Sequence, residues 1–274
     1  MKKWIFSAGL LLAVSVSAEI ISLNFTGRSS AFTLGSSDLA GLVGNETGNA
    51  LGSTMVGNWN NLNGNTGSGV GNLMDSSGAI INGVTASWSA DNVWDLPNTT
   101  GGSNTSANRT MMQGYLDNDA ENAVSITVAG LEALSGSYSV VVYIDGNNDT
   151  NWTRGSYTIG GTTVVNEDSE GVDFNSGSGN NANGLFQIPV AGATGNQAWP
   201  FSPNNSEGNM IIFTGISGSS FTLTATPGDA LDMDVQRAPI NGIQIVGVVP
   251  EPASALLMST VLGTALFIRR RLYE

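Results

Sequence analysis

Between residues 19 and 248 the apolar positions recur with a period of two rather than 3.6, the signature of strands instead of helices. Ile21, Leu23 and Phe25 alternate with Ser22 and Asn24, and Val84, Ala86 and Trp88 with Thr85 and Ser87. Val124, Ile126 and Val128 alternate with Ser125 and Thr127, and Phe221, Leu223 and Ala225 with Thr222, Thr224 and Thr226. Each segment reads as a strand with one face in and one face out. Residues 138–144 and 210–213 are apolar on both faces, which predicts central strands. Residues 157–165 read as a hairpin, because Gly160 and Gly161 supply the positive φ angles of a tight primed turn. Residues 185–190 and 240–248 complete a set of roughly nine or ten strands. With no helical partners, the expectation is an all-β, antiparallel two-sheet sandwich, jelly-roll-like, with long Gly/Asn-rich loops.

Residues 35–78 break the pattern, being rich in Gly, Asn and Ser. They are expected to form long loops with one or two short elements, pinned by Leu39, Leu42, Val43, Met55, Val56 and Trp59. A second loop-rich stretch covers 168–183. No composition break divides 19–248, so this stretch is read as one domain.

The two ends differ from this body. Residues 1–18 have the three parts of a secretory signal in order: Lys2 and Lys3, an apolar stretch at 5–14, and the small-residue site Val16-Ser17-Ala18. At the other end, Pro250-Glu251-Pro252 precedes an uncharged stretch at 253–268 and then Arg269-Arg270-Arg271. As a helix, 253–268 would span about 24 Å at 1.5 Å per residue, a little less than the ~30 Å hydrocarbon core, so a C-terminal transmembrane helix is expected with snorkelling flanks. The arginines would hold its end in the cytoplasm.

This tripartite ending, 249–274, resembles the PEP-CTERM sorting signal of Gram-negative bacteria, with Pro250, Glu251 and Pro252 as motif and Arg269, Arg270 and Arg271 as basic tail. The resemblance implies an exosortase-type membrane transpeptidase as partner. It also implies a protein anchored in the inner membrane before processing, then found at the cell surface or in the exopolysaccharide matrix. An ordinary tail anchor shares all of this except cleavage. The body is similar to a module of secreted proteins with this signal, themselves like galactose-binding-domain jelly rolls. The residues responsible are 108–117 (NRTMMQGYLD), the 138–146 strand ending in Ile144-Asp145-Gly146, 157–162, and 237–245 (RAPINGIQI). That likeness implies architecture more than ligand.

Composition narrows the chemistry. The 274 residues contain no His and no Cys, which removes Ser-His-Asp and Cys-His nucleophiles, thiolate and imidazole metal sites, and disulfides. Of the 22 acidic residues only Glu251 and Glu274 lie outside the body, whose basic residues are Arg28, Arg109, Arg154 and Arg237, a formal charge of −16. Such a body repels phosphate backbones, so no nucleic-acid partner is expected, whereas divalent cations are compatible.

Asp145, Asn147, Asp149 and Asn151 form D-x-N-x-D-x-N after a strong strand, a spacing that lets oxygens converge on Ca2+. Thr150 and Ser156 stand where an EF-hand needs Gly and Glu, and the same residues equally make a plain Asx turn. Asp117, Asp119 and Glu121, like Asp229, Asp232 and Asp234, read as solvated loop charges. Arg109 and Arg237 precede strands, where a guanidinium either clamps a carboxylate or grips a ligand. Trp88 fits a core position. Trp59, Trp94, Trp152 and Trp199 fall in loops, where an indole either stacks on a sugar ring or anchors its own loop. No carboxylate pair is marked as a glycosidase couple, so a non-enzymatic protein associating with carbohydrate is expected, with a purely structural or adhesive surface protein as the alternative and a carboxylate glycosidase third.

Overall fold

The computed structural model describes residues 19–28, 32–42, 51, 54–95, 107–118, 122–134, 136–146, 153–168, 209–228 and 237–247. The proposed signal peptide, the PEP motif, the 253–268 stretch, the arginine tail and residues 185–190 lie outside them. Among the described residues no helix is long and apolar enough to cross a membrane.

The described residues form thirteen strands: β1 (Ile20–Phe25), β2 (Asn60–Leu62), β3 (Thr66–Val70), β4 (Thr85–Ser89), β5 (Asn92–Asp95), β6 (Gly114–Asp117), β7 (Val124–Ala129), β8 (Ser137–Tyr143), β9 (Thr153–Ile159), β10 (Thr162–Asp168), β11 (Met210–Ser217), β12 (Ser220–Pro227) and β13 (Gly242–Gly247). A short α-helix, α1 (Ala107–Met111), precedes β6. A five-stranded sheet runs β11-β8-β13-β1-β2, a six-stranded sheet runs β10-β9-β12-β7-β4-β3, and β5 and β6 form a separate ribbon. The fold is all-β and sandwich-like.

The apolar stripes meet between the sheets. Ile21, Leu23 and Phe25 of β1, Val140 and Val142 of β8, and Ile243 and Ile245 of β13 share one core with Val124, Ile126 and Val128 of β7 and Leu223 and Ala225 of β12. Phe25 and Trp88 touch edge to face across it at 6.0 Å, an arrangement that suits the aromatic quadrupole. The 157–165 hairpin forms with Ile159 opposite Thr162, but of its two turn glycines only Gly160 takes a positive φ, 59°.

Three expectations change. First, the β1–β2 pair is parallel, Leu23 facing Asn60, while the other strand pairs are antiparallel. The long connection from residue 26 to 59 carries the chain back to the start of β1, which a hairpin could not do. Second, Met210–Ser217 is an edge strand: Met210 and Ile211 are buried although β11 pairs within its sheet only with β8. Third, the polar face of β1 does not meet solvent. Ser22 and Asn24 are 2% and 0% exposed, because Leu42, Trp59, Met111 and Met112 lie over the outer face of the five-stranded sheet. Leu42 and Trp59 thus pin the 35–78 loops, whereas Leu39 and Met55 are exposed and Val43 lies outside the described residues.

That covered face is polar, and amide side chains satisfy it. Gln244 accepts from the Tyr143 hydroxyl at 2.5 Å and donates to Ser22 Oγ at 3.2 Å and Thr54 O at 2.8 Å. Asn60 donates to Ser22 O and Met74 O, and Asn108 exchanges bonds with the Gly41 backbone. Among the described residues nothing covers the outer face of the six-stranded sheet. Register places a hydroxyl residue from every strand in one row, Thr163, Thr158, Thr224, Ser125, Ser89 and Thr66.

Candidate functional site

The ribbon β5–β6 collects the chemistry at one end of the sandwich. Trp94 faces Tyr115 and Asn92 faces Asp117, so these four share one face of the ribbon. Leu116 and Val93 occupy the other face and join the core.

Gly27 makes the first contact feasible. Its φ of 64° is a left-handed turn, and any Cβ there would strike Asp95 Oδ1 and the Trp94 carbonyl. The chain therefore crosses tightly over β5 and delivers Arg28. The Arg28 guanidinium carbon lies 3.4 Å from the Trp94 ring centroid, its Nε–H donates to Val93 O at 2.9 Å, and its backbone N–H donates to Asp95 Oδ1 at 2.5 Å. A cation over an indole face is attracted by the ring quadrupole, by about 0.5–1 kcal/mol where solvent reaches it. Arg28 is exposed and Trp94 half-buried, with the guanidinium covering the indole face on which it stacks.

Arg237 holds the second half of the same face. Its Nη1 is 3.6 Å from Asp117 Oδ2 and 3.5 Å from the Tyr115 hydroxyl. Asp117 is only 3% exposed, so it is no solvated loop charge; a buried carboxylate persists because it is paired. The clamp reading of Arg237 is the observed one.

The segment 237–241 ties this end together. Asn241 accepts from the Asp145 backbone N–H at 2.6 Å and donates to Met112 O at 2.8 Å and Gly114 O at 3.2 Å. The Ala238 N–H donates to Asn118 Oδ1, and the Tyr157 hydroxyl to Pro239 O. The four segments singled out in the sequence, around 108–117, 144–146, 157–162 and 237–245, are thus one hydrogen-bonded hub.

The other candidates separate. Trp59 is corrected: it is 2% exposed, donates Nε1–H to Val56 O at 3.0 Å and packs on Tyr143, so it anchors its loop and offers no ring to a sugar. Trp88 is buried in the core as expected. Trp152 and Trp199 lie outside the described residues. So do Asn147, Asp149 and Asn151, while Asp145 is fully buried at the hub. Among the described residues no three acidic side chains gather to hold a metal. Arg28 escaped sequence reasoning, although its rarity in the body and its place after Gly27 were the available signals.

No protein-family model matches the chain, and no curated protein sequence matches it. Among solved structures it is similar to the ANXUR1 extracellular domain from Arabidopsis thaliana, with a TM-score of 0.36 and 11% identity over 85% of this chain and 51% of that one. It is also similar to an exo-beta-1,3-galactanase with galactose from Phanerochaete chrysosporium, with a TM-score of 0.25 and 13% identity over 63% and 36% of the two chains. The chain spans about half the length of the first. Likenesses this distant carry no argument about function.

Proposed function

We propose that this is an exported, non-enzymatic surface or matrix protein that associates with exopolysaccharide through the Arg28–Trp94 platform. The observation that carries the reading is the guanidinium held over a half-buried indole at the sandwich end. An aromatic ring suits the apolar face of a sugar, and a guanidinium suits its hydroxyls and, better, its carboxylates. Against the −16 charge of the body, the Arg28 guanidinium is the group of the platform that favours an acidic polymer. Trp152 and Trp199 stay in the proposal as further contacts, and the 145–151 loop as a Ca2+ site.

Export, the signal peptide and sorting through Pro250-Glu251-Pro252 and the arginine tail by an exosortase belong to the same proposal. So does the likeness of the body to galactose-binding-domain jelly rolls. The absence of His and Cys and the pairing of Asp117 with Arg237 support a non-catalytic role. The burial of Trp59 favours the second reading, a structural or adhesive protein in which tryptophans only anchor loops.

A polysaccharide array probed with the purified full-length protein separates the two. Binding to uronic-acid polymers supports the first reading; no binding to acidic or neutral polymers leaves the second. Terminal peptide mass spectrometry on extracellular material tests sorting, because an intact 269–274 tail there contradicts processing.

A further inference from the structure

Three Asn–Gly dipeptides fall within the described residues, Asn63–Gly64, Asn82–Gly83 and Asn241–Gly242, and their settings are of two kinds. The dipeptide matters chemically because glycine has no Cβ to keep the asparagine side chain away from the peptide nitrogen that follows it. That nitrogen can bond the side-chain Cγ and close a five-membered ring, provided the two atoms can approach and nothing holds the side chain elsewhere.

Asn63 and Asn82 are in the open kind. Both are exposed, and neither side chain makes a hydrogen bond among the described residues. Gly64 and Gly83 stand at φ 83° and 86°, and a Cβ on either would meet nothing within 4 Å. Asn63–Gly64 links β2 of one sheet to β3 of the other and Asn82–Gly83 comes just before β4, so both lie outside the strand ladders. Asn241 is in the closed kind. It is fully buried, its Oδ1 and Nδ2 are taken up by the bonds to Asp145, Met112 and Gly114, and a Cβ on Gly242 would stand 2.9 Å from Leu23 O. Its side chain has to leave every one of those partners before it can turn toward the Gly242 nitrogen.

We propose that Asn63 and Asn82 are sites of spontaneous covalent modification, converted to aspartate and isoaspartate in the folded protein, and that the fold spares Asn241. Hydroxide takes the proton of the glycine N–H, the nitrogen bonds Cγ, and the Cγ–Nδ2 bond breaks to release ammonia with a proton from water. A second water then opens the ring, so in sum one amide and one water give a carboxylate and an ammonium ion. Opening at one carbonyl restores the ordinary backbone as aspartate; opening at the other routes the chain through Cγ and lengthens the turn by one carbon. Each event adds a negative charge to a body already at −16. In the two turns the extra carbon leaves the ladders paired, whereas at Asn241 it would break the hub.

The test needs no variant. The full-length chain is incubated at mildly alkaline pH, once folded and once in guanidinium chloride, and sampled over days. Peptide mapping by mass spectrometry, with fragmentation that separates aspartate from isoaspartate, reads the conversion rate at each of the three residues. Folding is expected to slow Asn241 about a hundredfold or more, because its conversion waits on opening of the hub, and to slow Asn63 and Asn82 by less than about tenfold. Protection of Asn63 or Asn82 to the same extent as Asn241 overturns the proposal, and so does conversion of Asn241 in the folded protein at its unfolded rate.

Discussion

The two sheets start from the same kind of sequence and end in opposite environments. β1 and β12 both alternate apolar residues with Ser, Thr or Asn, yet all of β1 is buried while Ser220, Thr222 and Thr226 of β12 face solvent. The difference comes from chain elsewhere: the 35–62 loops and α1 cover the five-stranded sheet, and nothing among the described residues covers the row of hydroxyls on the six-stranded one. A polar residue under a cover must find a partner, because each buried group left unmade costs roughly 1–3 kcal/mol. Hence the covered face relies on Gln244, Asn60, Asn108 and Asn241, and the open face on short hydroxyls that water satisfies.

The largest effect should follow from breaking the covered side. Asn241→Ala leaves the Asp145 N–H and the Met112 and Gly114 carbonyls without this partner. Chemical denaturation should show a loss of about 3–5 kcal/mol, and a loss below about 1 kcal/mol would remove Asn241 as the hub. Next comes Gly27→Ala, which forces a side chain into Asp95 and the β5 backbone at a positive φ. It should cost about 1–3 kcal/mol and, by lifting Arg28 off Trp94, weaken polysaccharide binding measured on the same preparation.

On the open side the double variant Thr127→Val with Thr222→Val removes a 2.9 Å hydroxyl pair that water can replace. Its unfolding free energy should change by less than about 0.5 kcal/mol, and a larger loss would mean that this face is covered after all. The smallest effect concerns pH. Burial, and secondarily the Asp75 carboxylate, raise the Glu19 pKa above its ordinary 4.5. The unfolded chain then loses this proton first, so the stability present below about 4.5 falls as pH rises through the higher folded value. Glu19→Gln should flatten that decline in a pH series of melts while leaving the rest of the profile unchanged.

How much of this was legible in the sequence follows from the same contrast. Strands β4, β7, β12 and the β9–β10 hairpin were readable because one face meets the core and the other meets water, which writes the alternation into the residues. The fate of Ser22 and Asn24 was not, since burial under a distant loop leaves no local trace. Neither was the β5–β6 ribbon, whose four-residue strands are too short for a period. At the candidate site Trp94 was named from its setting, but its partner Arg28 lies far away in sequence and only the Gly27 turn brings them together. Trp59 and Trp94 looked alike as loop tryptophans. The cover buries one and the sandwich end presents the other.

That last difference is where the account can be struck most directly. Full-length protein, Trp94→Ala and Arg28→Ala should be compared by affinity electrophoresis through gels containing a uronic-acid polysaccharide or a neutral one. The account predicts that Trp94→Ala weakens binding about tenfold or more, a loss of roughly 1.4 kcal/mol, and that Arg28→Ala loses chiefly the acidic polymer. Equal retardation of all three proteins would contradict the platform.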